Sequence, residues 1–170
     1  MHFEIRRALP GDAVACVELR GRTRENAVSP ERLRAYGITV ESWASDIETD
    51  TLAGHVCFAE GKLVGYCFGA RLTGEVVVLA LLPEAERMGL GRRLLELVVQ
   101  DLRSAGHSRL FLGSSPDPAC RSYGFYRHLG WQSTATFDRA GDEILELVAP
   151  AEPHADARLR RSQLSHPGGA

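Results

Sequence analysis

Apolar and polar side chains alternate over residues 2–7 with the period of two that marks a half-buried strand. Pro10-Gly11-Asp12 then supplies a turn and an N-cap for a helix that carries Ala13, Cys16 and Val17 inward. A Ser29-Pro30 pair starts a second helix, which ends near Gly37, and Thr39 caps a third that runs through Trp43 and Ile47. From His55 the spacing changes. Three runs, His55–Ala59, Leu63–Leu72 and Val76–Leu82, separated by Glu60-Gly61 and Thr73-Gly74, read as an antiparallel meander with tight turns. Next come a helix over Arg92–Ala105 closed by Gly106, a strand over Arg109–Leu112, a helix near Ala119–Leu129 and a strand pair turning at Ala140-Gly141-Asp142. Within Arg92–Ala105, the residues Leu94, Leu95, Val98, Leu102 and Ala105 form one apolar stripe, so this helix packs on a sheet by a single face. The expected fold is α/β (α+β), with a mixed, mostly antiparallel central sheet flanked by helices.

The junction between the last meander strand and that helix is Glu86-Arg87-Met88-Gly89-Leu90-Gly91. Backbone N–H groups at a helix N-terminus lack intrahelical acceptors and carry the positive end of the dipole, and glycines let a bulky anion approach them. First turns ordinarily favour Asp or Glu, whereas this one opens with Arg92 and Arg93 after Arg87, an arrangement that an incoming anion would stabilise. A plain strand-to-helix turn with solvated arginines accounts for the same spacing without a ligand. The third glycine of the dinucleotide fingerprint is Leu94 here, and no Gly-Lys-Ser or Gly-Lys-Thr occurs anywhere. The expected ligand is therefore phosphorylated, but neither NAD nor a nucleoside triphosphate.

The run from Pro83 to Leu95, Pro-Glu-Ala-Glu-Arg-Met-Gly-Leu-Gly-Arg-Arg-Leu-Leu, resembles the acetyl-CoA signature of the GCN5-related N-acetyltransferases, abbreviated GNAT. Tyr123-Gly-Phe-Tyr-Arg-His-Leu-Gly-Trp131 resembles a later motif of that family, and the two blocks stand in the family's order. The resemblance implies a GNAT-like acyl-CoA N-acyltransferase fold over residues 1–148. It implies acetyl-CoA as cosubstrate, held by Arg87, Met88, Gly89, Leu90, Gly91 and Arg92 and by the backbone of Leu79, Ala80 and Leu81. Tyr126 falls at the position that hydrogen-bonds or protonates the CoA thiolate, although a Phe125-Tyr126 pair on an amphipathic helix can equally be packing. A homodimer is the family expectation. The family usually has Gln or Arg where this chain has Glu86, and its N-terminal acetyltransferases often carry Glu and Asn where this chain has Ser114 and Ala119.

Acyl transfer to an amine needs a base, since an ordinary lysine-like amine is protonated at neutral pH. Glu75, opening the fourth strand, is the candidate, with an exposed turn residue as the competing reading. Acceptor sites in the family are commonly lined by the first two helices and their connection, which points to Arg24, Glu25 and Asn26. Helix-end solvation explains the same three residues. The expected function is direct transfer of an acetyl group from acetyl-CoA to an amine of a small molecule or peptide. A non-catalytic acyl-CoA binding or sensing module is the alternative, and an interaction domain whose turn holds incidental anions a third.

Composition fits one domain: 170 residues, 44% hydrophobic and 25% charged. A net charge of -2 gives no global field for nucleic acid or an anionic membrane. No run is long enough to span a bilayer and residues 1–7 lack a signal-type apolar core, so a cytoplasmic location is expected. The six histidines never fall three or four apart and the four cysteines are scattered, so no metal is expected. Residues 149–170, rich in Pro, Gly and polar side chains, are expected to be a disordered tail.

Overall fold

The structure, a computed structural model, describes residues 2–150. The strands are β1 (Phe3–Arg7), β2 (Leu52–Ala59), β3 (Lys62–Ala70), β4 (Glu75–Leu81), β5 (Arg109–Ser114), β6 (Gln132–Phe137) and β7 (Glu143–Val148). The helices are α1 (Ala13–Arg20), α2 (Pro30–Ala35), α3 (Val40–Glu48), α4 (Leu90–Ser104) and α5 (Arg121–His128). All seven strands join one sheet in the order β1-β2-β3-β4-β5-β7-β6, antiparallel except for β4 beside β5. The parallel pair follows from the connection: α4 carries the chain across a face of the sheet and returns it in the same direction.

Two of the helices start on local caps. Ser29 accepts from Arg32 N–H at the start of α2, with Pro30 in the first position. Thr39 and Ser42 make a reciprocal capping box on α3. That helix places Trp43 edge-on to Tyr66 and Phe68 of β3, at centroid distances of 5.5 and 5.3 Å, closing one face of the sheet. On the other face α4 buries Leu94, Leu95, Val98 and Leu102, each contributing about 1.5–3 kcal/mol by leaving water. Its last turn is tied to β2 by His55 Nε2 and Asp101 Oδ2, 2.8 Å apart.

Two element boundaries differ from the expectations drawn from sequence, and the strand order adds a feature on which the pattern made no statement. The helix after the glycine turn begins at Leu90, two residues early, so Gly91 lies inside its first turn. β7 inserts between β5 and β6, an order that no local pattern encodes. The strand expected over Leu63–Leu72 ends at Ala70, because Arg71 already belongs to the turn that reverses the chain. The expected tail begins with Ala149, whose N–H donates to the Ser108 carbonyl at 2.9 Å, and from 151 it lies outside the described residues.

Candidate active site

β4 and β5 share a single register pair, Glu75 with Phe111, and then diverge. The bond from Leu82 N–H to the Val64 carbonyl, 2.9 Å, fixes the phase of β4 against β3. By alternation, Val78 and Ala80 turn their backbone groups toward β3, while Leu79 and Leu81 turn theirs toward the gap beside β5. Of the three strand residues expected to offer main-chain groups, Leu79 and Leu81 therefore face the gap, and Ala80 is engaged in the ladder opposite Tyr66.

The glycine turn lies at the open end of that gap. Gly89 has φ +75° and Arg87 φ +64°, so the chain uses the left-handed region twice before the helix starts. No hydrogen bond within the described residues is made by the N–H groups of residues 87–92, six in a row. Gly91 serves packing instead, since a Cβ built there would stand 3.1 Å from Leu81 Cδ1 and its missing side chain lets α4 settle on β4. Arg87, Met88, Arg92 and Arg93 are exposed, and Leu90 is buried. The helix's cations are partly compensated, since Arg92 Nε lies 2.7 Å from Glu96 Oε1 one turn on, an exposed pair of small energetic weight.

Tyr126, on α5, is buried. Burial holds the phenol above its ordinary value; the Cys67 thiol adds to this and the Arg20 guanidinium opposes it. Cys67, on β3, is registered with Leu79 of β4. Glu75 sits at the closed end, half-buried, on the face of the sheet opposite α4. Gly69, the residue before its partner Ala70, points its open side at Val98 and Leu102 of α4. Burial, and then the Asp138 carboxylate, raise the Glu75 carboxyl above its ordinary value. The structure thus brings Phe125, the neighbour of Tyr126, to within 3.7 Å of a Cβ built on Gly91, and sets Glu75 apart, on the other face of the sheet.

The three residues expected to meet an acceptor are largely committed within the protein. Arg24 Nε donates to Glu86 Oε2 at 3.0 Å, and Arg121 pairs with the same oxygen. Both Glu25 oxygens accept from the backbone N–H of Arg121, at 3.3 and 3.1 Å. Asn26 is exposed, has φ +56°, and offers its carbonyl to Arg20. Glu86 does not act on phosphates from its place before the turn; it binds two arginines. The buried hydroxyls of Tyr66 and Ser114 have no partner among the described residues, and Arg20 lies near enough to favour the ionised forms of both Tyr66 and Tyr126. Sequence alone does not point to Arg20 as a neighbour of Tyr66 and Tyr126, or to Arg121 as a partner of Glu86, because these contacts join residues distant in the chain. A cavity of about 380 Å³ continues the seam between α4 and α5, lined by Arg92, Leu95, His128 and Trp131 among others.

The sequence model of the acetyltransferase (GNAT) family matches residues 14–131, which takes in the glycine turn, the gap and α5. The chain belongs to the GNAT family. Serotonin N-acetyltransferase 2, chloroplastic, of Oryza sativa subsp. japonica is 34% identical over 131 residues, 76% of this chain. The chain spans 61% of that relative's length. Among solved structures, the PaiA N-acetyltransferase of Thermoplasma acidophilum, in complex with coenzyme A, superimposes with a TM-score of 0.71 at 19% identity. It covers 87% of this chain and 99% of its own. The ribosomal-protein-S18-alanine N-acetyltransferase of Escherichia coli gives 0.65 at 20% identity, covering 90% and 98%. At these identities the likeness is one of fold, and it includes the seven-stranded sheet seen here. No group of three or more metal-ligating side chains is clustered among the described residues, and no described helix is long and apolar enough to cross a membrane.

Proposed function

We propose that the protein is an acetyl-CoA-dependent N-acetyltransferase that passes the acetyl group directly to an amine of a small molecule or peptide. The observation that carries this reading is the row of six open N–H groups at residues 87–92, set at the mouth of a gap between two diverging parallel strands. A diphosphate suits the first element, and the main-chain groups of Leu79 and Leu81 suit an acyl carbonyl and an amide-bearing arm within the second. Tyr126, which burial keeps protonated at neutral pH, is the group assigned to hydrogen-bond or protonate the departing thiolate. Glu75, half-buried and with a raised carboxyl, is the base for the amine, reached from the face opposite α4. None of the buried thiols serves as a nucleophile: burial pushes Cys16, Cys57 and Cys67 up, away from the thiolate form.

Calorimetric titration with acetyl-CoA tests the reading. Saturable binding is expected, with inorganic phosphate and ADP competing weakly. The Gly91→Val variant, first shown folded by circular dichroism, loses that binding because its side chain meets Leu81 and displaces the turn. Amines are then screened for release of the CoA thiol, with serotonin included because of the rice relative. Absence of acetyl-CoA binding by the wild-type protein overturns the proposal, and binding without transfer to any amine favours a non-catalytic acyl-CoA module.

A further inference from the structure

α5 is an eight-residue helix whose own N-cap, Cys120, makes no side-chain cap, and whose first turn holds no acidic residue. Such an end is under-supplied with acceptors. The missing carboxylate comes from far away in the chain: Glu25, on the connection between α1 and α2, takes the N–H of Arg121, the first residue of the helix, with both oxygens. The same connection sends Arg24 to Glu86, and Glu86 also holds the Arg121 side chain. Four residues from three segments therefore form one cluster: the α1–α2 connection, the residue before the glycine turn, and the start of α5. Glu86 is well covered, with its side chain 14% exposed, while Arg24 and Arg121 are about half-exposed. Five residues beyond Arg121, on the same short helix, is Tyr126.

We propose that Glu25 is a positioning residue: as a cap supplied in trans to α5, tied down by the Arg24–Glu86–Arg121 bridge, it fixes the place of the Tyr126 hydroxyl against β4. This rests on the assignment of Tyr126 to acetyl transfer. It also gives Glu86 a role, that of holding the two walls of the cleft at a set distance. Where the sequence pattern points the connection at the acceptor, Glu25 contributes to turnover through α5, and its acceptor-facing role is secondary.

Amide hydrogen exchange on the free protein tests the physical part without any substrate. Glu25→Ala is expected to speed exchange at the start of α5 by about tenfold, with α4 and the sheet unaffected. Unchanged exchange in α5 overturns the proposal whether or not the protein turns out to be an acetyltransferase. The functional part is read from a double-mutant cycle with Tyr126→Phe, using acetyl-CoA and any amine found to be acetylated. Glu25→Ala alone should lower kcat about tenfold, with the KM for acetyl-CoA little changed, since a hydroxyl moved by a fraction of an ångström loses its alignment. In the Tyr126→Phe background the same substitution should have no further effect on kcat. Glu25→Gln, which keeps an acceptor oxygen but not the charge, should recover part of the loss, and it replaces Glu25→Ala throughout if the latter does not fold. Additive losses, or a loss confined to the KM of the amine, overturn the proposal in favour of direct contact with the acceptor.

Discussion

The N-termini of α4 and α5 lie at one cleft mouth and are finished in opposite ways. α4 opens on a left-handed glycine with no side-chain cap, and its N–H groups together with those of the preceding turn are left open. α5 opens on a cysteine and is closed by a glutamate from a distant loop. Both ends carry the same partial positive charge, and any short polar side chain at the capping position would quiet either one. A cap provided from within stabilises the resting protein, whereas an open end keeps its electrostatic potential for a molecule that arrives. The contrast teaches where to look for a ligand: at the helix whose end the protein has left unfinished.

Closing the open end is the strongest way to break the comparison. Gly89→Asp gives α4 a carboxylate of its own in a backbone region that Asp and Asn both tolerate, and it should lower acetyl-CoA affinity about a hundredfold. Gly89→Asn, the uncharged control, should lose about tenfold, and calorimetric titration of the two separates charge from shape. A smaller effect comes from the capped helix: Tyr126→Phe should reduce kcat ten- to a hundredfold, roughly the scale of one proton-transfer group, with binding of acetyl-CoA retained. Next is the pH dependence carried by β4, the strand that leads into α4. If Glu75 is the base, activity falls as the medium becomes acidic enough to protonate it, and this limb lies above the ordinary carboxylate range because burial and Asp138 raise the group. Asp138→Asn removes the second of those causes and should move the acid limb of kcat/KM to lower pH, while an unmoved limb assigns it elsewhere. Smallest is Arg92→Ala. Its pair with Glu96 is exposed, so stability should change by less than about 0.5 kcal/mol, and acetyl-CoA affinity should drop about threefold with weakened salt dependence.

What the sequence made legible was whatever is written in contiguous residues. The turn from Glu86 to Gly91, the stripe on α4 and the caps at Ser29 and Thr39 are local chemistry, and the GNAT family follows from two such blocks. The functions of individual residues within the site were less accessible. Gly91 reads as room for a phosphate, yet its structural reason is the approach of Leu81 from another strand. Arg24 and Glu25 read as exposed polar groups for a substrate, because partners 62 and 96 residues away leave no periodic trace. The separation of Leu79 and Leu81 from Ala80 depends on which face of β4 is paired with β3, a matter of register that composition does not carry.

The single rung between β4 and β5 has a mechanical consequence. Strands β1 to β4 form one leaf and β5, β7 and β6 another, joined along the sheet at Glu75 and Phe111 alone. Beyond that rung, the stiffness of the molecule across the gap depends on helices laid over the seam, not on the main-chain ladder that makes sheets rigid. A guest whose amide groups meet those of Leu79 and Leu81 would lend the sheet the rungs it lacks, acting on the fold as an added strand does. Resistance to heat or to proteolysis then becomes a gauge of occupancy, with the scaffold completed by the molecule it receives.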